Sequence, residues 1–297
     1  ESSAASDVYK RQPLSIPSSP PARPARPEGD DDDLPLRFTA VMLSSSDSEG
    51  ATASAGVGAG VAAGASAPWL VVCDFGVAKL VLSLTDPDGH NGFPGNVHCT
   101  VTYALLDNDC LEIQYEATTD GMTPFNPTNH SYFNLKGRGN ILDHTLQIFA
   151  DSVATVDEHS TLLGRLDPLV DGYNDFLSPT KIGSLKKLEV GNADIHFFLN
   201  EGRTKLPKLA ASLKEPISGR VMEVLTTEPG VQFYAGLWLS KEAPDSGKGG
   251  VIHKPMDALC LETQDYADSV NYPDMGSAIL KPGDTFKSTT LYRFSTS

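Results

Sequence analysis

The sequence lacks any apolar run approaching the roughly 18–20 residues that a helix needs to cross a bilayer. It is also short of positive charge. Twenty-three Lys and Arg stand against 38 Asp and Glu, a net charge of −15 at pH 7. A surface this acidic repels phosphate backbones and anionic lipid, so neither nucleic acid nor membrane is expected as a partner. Cysteine is sparse. Cys73, Cys99, Cys110 and Cys260 show no CxxC spacing, which argues against a zinc ribbon or a disulfide framework. It predicts reduced, partly buried thiols in a cytoplasmic setting. The first residues carry no charged-then-apolar signal, and the acidic run Asp30–Asp33 is unlike a transit peptide. Nor does any stretch sustain the 3.6-residue apolar period of a long amphipathic helix.

What is present divides at about residue 67. Residues 1–67 hold the Pro-rich, charged stretch "PLSIPSSPPARPARPEGDDDD" and the Ser/Ala/Gly tract "SSSDSEGATASAGVGAGVAAGASAP". Neither offers enough apolar surface to offset the entropy of ordering it. These residues are read as disordered, a linker or a segment outside the folded unit, with a short strand conceivable at 37–43; residues 68–297 are read as the folded domain. There "LVVCDFGVAKLVLSLT" and "NVHCTVTYALL" have strand composition. "CLEIQYEATTD" alternates strictly, with Leu111, Ile113 and Tyr115 on one face and Glu112, Gln114 and Glu116 on the other. Further strands are predicted at 130–136, 144–150, 195–200, 220–226, 231–239, 257–262 and 288–295, separated by turns such as "DPDGHNG", "LLDNDC", "EPG" and "KPGD". Many short strands without long helices predict an all-β fold, a sandwich or barrel. "VCDFGVAK" is similar to the magnesium-binding stretch of protein kinases, but no Gly-rich phosphate loop, strand lysine or H-R-D catalytic loop accompanies it. It is read as a strand with a turn at Gly76.

Two stretches carry more polar chemistry than a core needs. "NPTNHSYFNL" (126–135) surrounds His130 with Asn126, Asn129 and Asn134, amides that can orient an imidazole or grip hydroxyls. Burying such groups unpartnered costs roughly 1–3 kcal/mol each, so the stretch is expected to be well satisfied or to face a polar ligand. "ALCLETQDYAD" (258–268) puts Leu259 and Leu261 on one strand face and Cys260 and Glu262 on the other. A partly buried carboxylate there suits a general base, because desolvation raises its proton affinity. "NADIHFFL" adds Asp194 and His196 on one face, and "EPGVQFYAG" adds Gln232 after a turn. With the aromatic faces of Phe197, Phe233 and Tyr234, these make the set that a sugar pocket requires.

The blocks "LTDPDGHNGFPGNV", "EIQYEATTD", "NPTNHSYFNL", "ILDHTLQIFAD", "GRVMEVLTTEPGVQFYAG", "CLETQDYADSVNYPD" and "LKPGDTF…TTLYRF" follow one another as they do in aldose 1-epimerases. Residues from about 80 to 295 resemble that family. The resemblance implies a large twisted β-sandwich with neither metal nor organic cofactor, interconverting the α and β anomers of a free aldohexose such as galactose or glucose. It implies a monomer or weak dimer. Position by position, Glu262 matches the family's general base, His130 its general acid, Asp194 the acid that holds sugar hydroxyls, and Gln232 a pocket residue; Asn129 is added as a hydroxyl ligand. There are departures. Ala193 and Ile195 stand where the family has Tyr and His. No counterpart is found for an earlier half that ends in an N-A-L-H-G-G-like segment, supplies a second histidine and carries an Asn-Arg pair. Two alternatives follow: a vestigial, non-catalytic sugar-binding paralogue, or a hexose-6-phosphate mutarotase. The latter wants an arginine cluster, whereas Arg138, Arg165, Arg203, Arg220 and Arg293 are scattered along the chain.

Overall fold

In the computed structural model the described residues are 69–74, 77–157, 161–189, 192–239 and 251–297. The expectations for residues 1–67, including the strand at 37–43, and for the turn at Gly76 lie outside them. Sixteen strands carry the fold among the described residues: β1 (Trp69–Asp74), β2 (Val77–Asp86), β3 (Val97–Leu106), β4 (Cys110–Thr119), β5 (Thr123–Pro124), β6 (Thr145–Ile148), β7 (Ala150–Val156), β8 (Leu162–Pro168), β9 (Thr180–Lys181), β10 (Asp194–Leu199), β11 (Lys208–Lys214), β12 (Arg220–Thr226), β13 (Gly230–Tyr234), β14 (Cys260–Gln264), β15 (Ile279–Leu280) and β16 (Phe286–Thr296). They form a nine-stranded sheet in the order β1-β2-β3-β4-β16-β12-β11-β6-β9 and a five-stranded sheet in the order β14-β13-β10-β7-β8, with β5 and β15 paired separately.

The period-two pattern of β4 is realised directly. Ile113, Tyr115, Ala117 and Thr119 are buried and alternate with exposed Gln114, Glu116 and Thr118. β3 turns into β4 through Asn108 and Asp109, both left-handed (φ 63° and 54°), the conformation that Asn and Asp tolerate best after glycine. Inward rows of the two sheets meet in one core. Ile113, Leu146, Leu213, Met222, Val224 and Tyr292 of the larger sheet pack with Ile195, Phe197, Val231, Phe233 and Leu261 of the smaller. Burying a side chain of this size contributes about 1.5–3 kcal/mol, so the expected all-β sandwich is held mainly by this shared layer. Three hydroxyls inside it are satisfied by one another. Thr263 Oγ1 lies 2.6 Å from Thr290 Oγ1, which lies 3.0 Å from Thr226 Oγ1. Tyr292 donates its hydroxyl to Leu261 O at 3.2 Å. These bonds tie β14 of one sheet to β16 of the other and fix which face β14 turns outward.

Several boundaries differ from the sequence reading. The strand expected at 231–239 stops at Tyr234. Gly236 follows at φ +66°, and a Cβ there would lie 2.6 Å from Ala258 O, so the chain turns where only glycine fits. The strand expected at 257–262 runs instead over Cys260–Gln264. β8 and β11 were not anticipated, because Gly164 and Pro168 in one and the run "LAAS" in the other are weak strand formers. The strand expected at 130–136 does not form. Only Phe133 pairs, in an isolated antiparallel bridge with Leu259. The reason belongs to the candidate site.

Candidate active site

Alternation in the five-stranded sheet separates core from site. Along β10, β13 and β14, Ile195, Phe197, Val231, Phe233 and Leu261 face the core. The intervening Asp194, His196, Gln232, Tyr234, Cys260 and Glu262 therefore share the opposite face. Register lines them up in two rows. Asp194 pairs with Tyr234 and Tyr234 with Cys260; His196 pairs with Gln232 and Gln232 with Glu262. Neighbours in such a row have Cβ atoms about 4.5–5.5 Å apart, which is how residues distant in sequence come to touch. Gln232 donates from Nε2 to Asp194 Oδ1 at 2.8 Å. The parity corrects one expectation. Phe197 and Phe233 are fully buried in the core and present no face to a ligand, leaving Tyr234 as the aromatic on the site side.

β14 is the edge of its sheet, and the polar stretch 126–135 covers that edge without becoming a strand. Asn126 exchanges two bonds with the backbone of Asp265 (2.9 and 3.0 Å). Thr128 donates its hydroxyl to Thr263 O at 3.0 Å. Asn134 donates to Asp257 O and Gly139 O at 2.8 and 2.7 Å. Asn129 and Asn134 each accept the backbone N–H two residues on, from Ser131 and Lys136. Side chains have taken the place of ladder bonds, as Asn and Thr readily do. Most of the polarity in this stretch thus fastens the segment to the edge strand, and Asn129 Oδ1 is committed to a local turn. Phe133 packs against Tyr292 with ring centroids 5.0 Å apart, and Leu135 is buried in the core. His144 Nε2 accepts the N–H of Leu135, and Arg220 donates to its carbonyl.

Anchored at both ends, the segment brings His130 over β14. Its Nε2 lies 3.2 Å from Glu262 Oε1, and its Nδ1 lies 3.3 Å from Cys260 Sγ. The imidazole is 22% exposed and the carboxyl only 4%. Tyr132 and Tyr234 flank the imidazole, with ring centroids 5.1 and 6.1 Å away, and Trp238 stacks on Tyr234 at 5.7 Å. Burial, and then the negative charge of Asp194, push the Glu262 carboxyl up to about 8. The structure therefore gathers His130, Glu262, Gln232 and Asp194 on one face and sets Asn129 in the adjoining loop. Sequence reading had placed Cys260 on the Glu262 face from parity alone, without assigning it a role. Its contact with His130 required the loop to be in place.

His196 occupies the same face but is sealed. Neither ring nitrogen has a hydrogen-bond partner among the described residues. The ring packs edge-on against Phe198 and Tyr266 at 5.0 and 6.0 Å. It lies over Gly230, where a Cβ would come 2.2 Å from Nε2. Burial pushes its pKa down to about 3. In the folded chain it stays neutral, whereas the unfolded chain takes up a proton below about pH 6.5. Its contribution to stability is thus present above pH 6.5 and is lost as pH falls toward 3, at about 1.4 kcal/mol per pH unit. Urea unfolding of wild type and His196→Asn at pH 7 and pH 5 checks this. The variant is expected to be more stable relative to wild type at pH 5 than at pH 7, and a difference that does not change between the two pH values would overturn it.

The aldose 1-epimerase family model matches residues 60–293. The chain belongs to the aldose 1-epimerase family. It is 42% identical over 212 residues to a galactose mutarotase of Mus musculus, covering 70% of this chain and 60% of that protein. It is 33% identical over 223 residues to an aldose 1-epimerase of Escherichia coli K12, covering 73% and 64%. The chain thus spans about 60% of the length of the curated relatives it matches. Among solved structures, a GalM/aldose epimerase homologue from C. elegans superposes with a TM-score of 0.68 at 27% identity, over 77% of this chain and 68% of that one. A galactose 1-epimerase from Lactobacillus acidophilus gives 0.63 at 28%, over 77% and 66%. The segments "TNHSYFNL" and "LETQ", both inside the matched residues, meet at His130 and Glu262. Among the described residues, Arg203, Arg220 and Arg293 are engaged with Glu228 and Asp265, with Leu135 O, and with Glu223, and none of the three is left for a phosphate.

Proposed function

We propose that this chain is a mutarotase, an isomerase that interconverts the α and β anomers of a free aldohexose such as galactose or glucose. The observation that carries the reading is the contact between His130 Nε2 and Glu262 Oε1 at 3.2 Å, beside the Gln232–Asp194 pair. In a pyranose the anomeric hydroxyl and the ring oxygen are both attached to C1. An acid and a base serving them must both reach this one centre, and these two side chains converge on one point of the site. Glu262 removes the proton from the anomeric hydroxyl, and the C1–O1 bond becomes a carbonyl. The C1–O5 bond breaks as His130 delivers a proton to O5. Rotation about C1–C2 presents the other carbonyl face, and the same two protons return as the ring closes. One proton moves onto Glu262 and one leaves His130, so the steps balance with no redox partner. Gln232 holds Asp194 by a hydrogen bond, and the carboxylate in turn accepts hydroxyls of the sugar. Asn129 sits in the loop to contribute from the side, and Tyr132 and Tyr234 offer apolar surface to C–H edges. Cys99, Cys110 and Cys260 form no disulfide among the described residues, which supports reading the chain as a cytoplasmic monomer or weak dimer. No described helix is long and apolar enough to cross a membrane.

Polarimetry on freshly dissolved α-galactose and α-glucose tests the reading. Wild type should hasten the relaxation of rotation, and His130→Ala should do so about 100- to 10,000-fold less. Because the base must be deprotonated, kcat/KM should climb with pH along a limb lying well above the ordinary carboxylate range, toward about 8. A folded wild type whose curve coincides with that of His130→Ala would instead support the vestigial sugar-binding reading.

A further inference from the structure

Sugar chemistry at this site uses an imidazole and a carboxyl, and it has no need of a thiol. Cys260 nevertheless lies fully buried beneath the imidazole, its Sγ 3.3 Å from Nδ1. His130, Cys260 and Glu262 each place one donor atom within 4.8 Å of the other two. Nitrogen, sulfur and oxygen are the donor types that a borderline-soft divalent ion accepts together. Zinc takes them at about 2.0–2.3 Å in a tetrahedron, in which neighbouring donors stand roughly 3.3–3.7 Å apart by that geometry. The carboxylate lies 3.2 Å from Nε2 and the sulfur 3.3 Å from Nδ1; an ion takes one ring nitrogen, so one of these contacts opens when it binds while all three donors stay within 4.8 Å. Drawing all three donors around a single ion needs the imidazole to turn so that one nitrogen serves the ion together with Cys260 and Glu262. A hard ion such as Mg²⁺ finds one carboxylate here and no oxygen cage.

We infer that His130, Cys260 and Glu262 form a three-ligand site for a zinc-class divalent ion, its fourth position open toward the pocket, and that ion and sugar exclude one another there. The ion would be an inhibitor, because ligation removes the acid and the base from the reaction. On binding, the thiol proton is displaced to solvent, together with the carboxyl proton when Glu262 carries one, and no redox change is involved. The exclusion of sugar rests on the mutarotase reading above; the metal binding does not.

The test is optical and needs no turnover. The full chain is titrated with Co²⁺, and the sulfur-to-cobalt charge-transfer band in the near ultraviolet is followed. Zn²⁺ is then added to displace the cobalt. One equivalent is expected to bind with the band present. Mg²⁺ should leave it unchanged, and Cys260→Ser should abolish it. Glu262→Gln keeps the thiol and should weaken Zn²⁺ by at least about tenfold in chelator competition, a second arm that does not depend on Cys260→Ser folding. In an active preparation, Zn²⁺ should inhibit with the same stoichiometry, and a chelator should reverse it. A wild type without the band, a band that survives Cys260→Ser, or equal affinity in Glu262→Gln would overturn the site. Inactivity of a chain that shows the band would count against the mutarotase reading and not against the metal ligands.

Discussion

Glu262→Gln is expected to abolish most of the catalysis and yet to be more stable than wild type at pH 8. The activity loss should reach about 100- to 10,000-fold, the usual worth of a positioned proton acceptor. The gain in stability follows from the same burial. Folded, the Glu262 carboxyl holds its proton up to about pH 8; unfolded, it ionises near 4.5. Between those values the native state binds more protons than the unfolded chain, so native stability falls as pH rises. The fall is about 1.4 kcal/mol per pH unit and levels off above 8. A glutamine keeps the shape and can still bond His130, but it does not titrate and so escapes the loss. Urea unfolding of both proteins at pH 5 and pH 8 reads the difference. Parallel pH dependences would show that Glu262 is not desolvated, and with that the poised base would go. His196 contributes the opposite slope, losing stability below pH 6.5. From about 4.5 to 6.5 the two slopes offset each other, and the wild type should show a plateau there that each single variant tilts in its own direction.

That plateau joins two residues of unequal legibility. Glu262 was readable because "CLETQ" alternates and because its carboxylate follows two leucines whose faces are unambiguous. Period-two parity alone put Cys260 beside it and Leu261 in the core. For His196, parity gave the face, but its sealing beneath Phe198 and Tyr266 depends on Gly230 two strand positions away in the register, which no local pattern reports. The stretch around His130 misled in an instructive way. Its apolar Phe133 and Leu135 alternate with polar residues, and period two predicted a strand. Asparagine and threonine side chains outbid the backbone for partners instead, and the segment became a polar strap along β14. The aromatic residues of the pocket failed for a related reason. Phe197 and Phe233 have the right composition but the wrong parity relative to Asp194 and Gln232, a distinction visible only once the site face is fixed. Where the chain used weak strand formers, as in β8 and β11, the sheets imposed the conformation from outside.

The largest structural effect is expected from Arg203, which sequence reading considered only as a scattered charge. Its Nη1 donates to Glu228 Oε1 at 2.8 Å and its Nη2 to Asp265 Oδ2 at 3.1 Å. The two carboxylates are 1% and 5% exposed. Burial disfavours the guanidinium charge, and Glu228 and then Asp265 outweigh it, holding the Arg203 pKa above its usual value. Removing the arginine strands two buried anions that now share one guanidinium. The guanidinium itself is 39% exposed, so water screens part of the cost of about 3–5 kcal/mol for breaking a fully buried pair, and Arg203→Met is expected to lose about 2–3 kcal/mol in urea unfolding at pH 7. Lysine should recover only part, since an ammonium cannot reproduce the fork that spans both carboxylates. The damage should also reach the site. Asp265 exchanges backbone bonds with Asn126, four residues before His130, and it lies three residues after Glu262 on the same chain. Arg203→Met should therefore lower kcat as well as stability, without moving the pH limb set by Glu262. Combining it with Glu228→Gln and Asp265→Asn removes the stranded charges and should restore most of the stability. If Arg203→Met alone stays within about 1 kcal/mol of wild type, the range of an exposed pair, the network is not buried as described and the strap is held by its own hydrogen bonds.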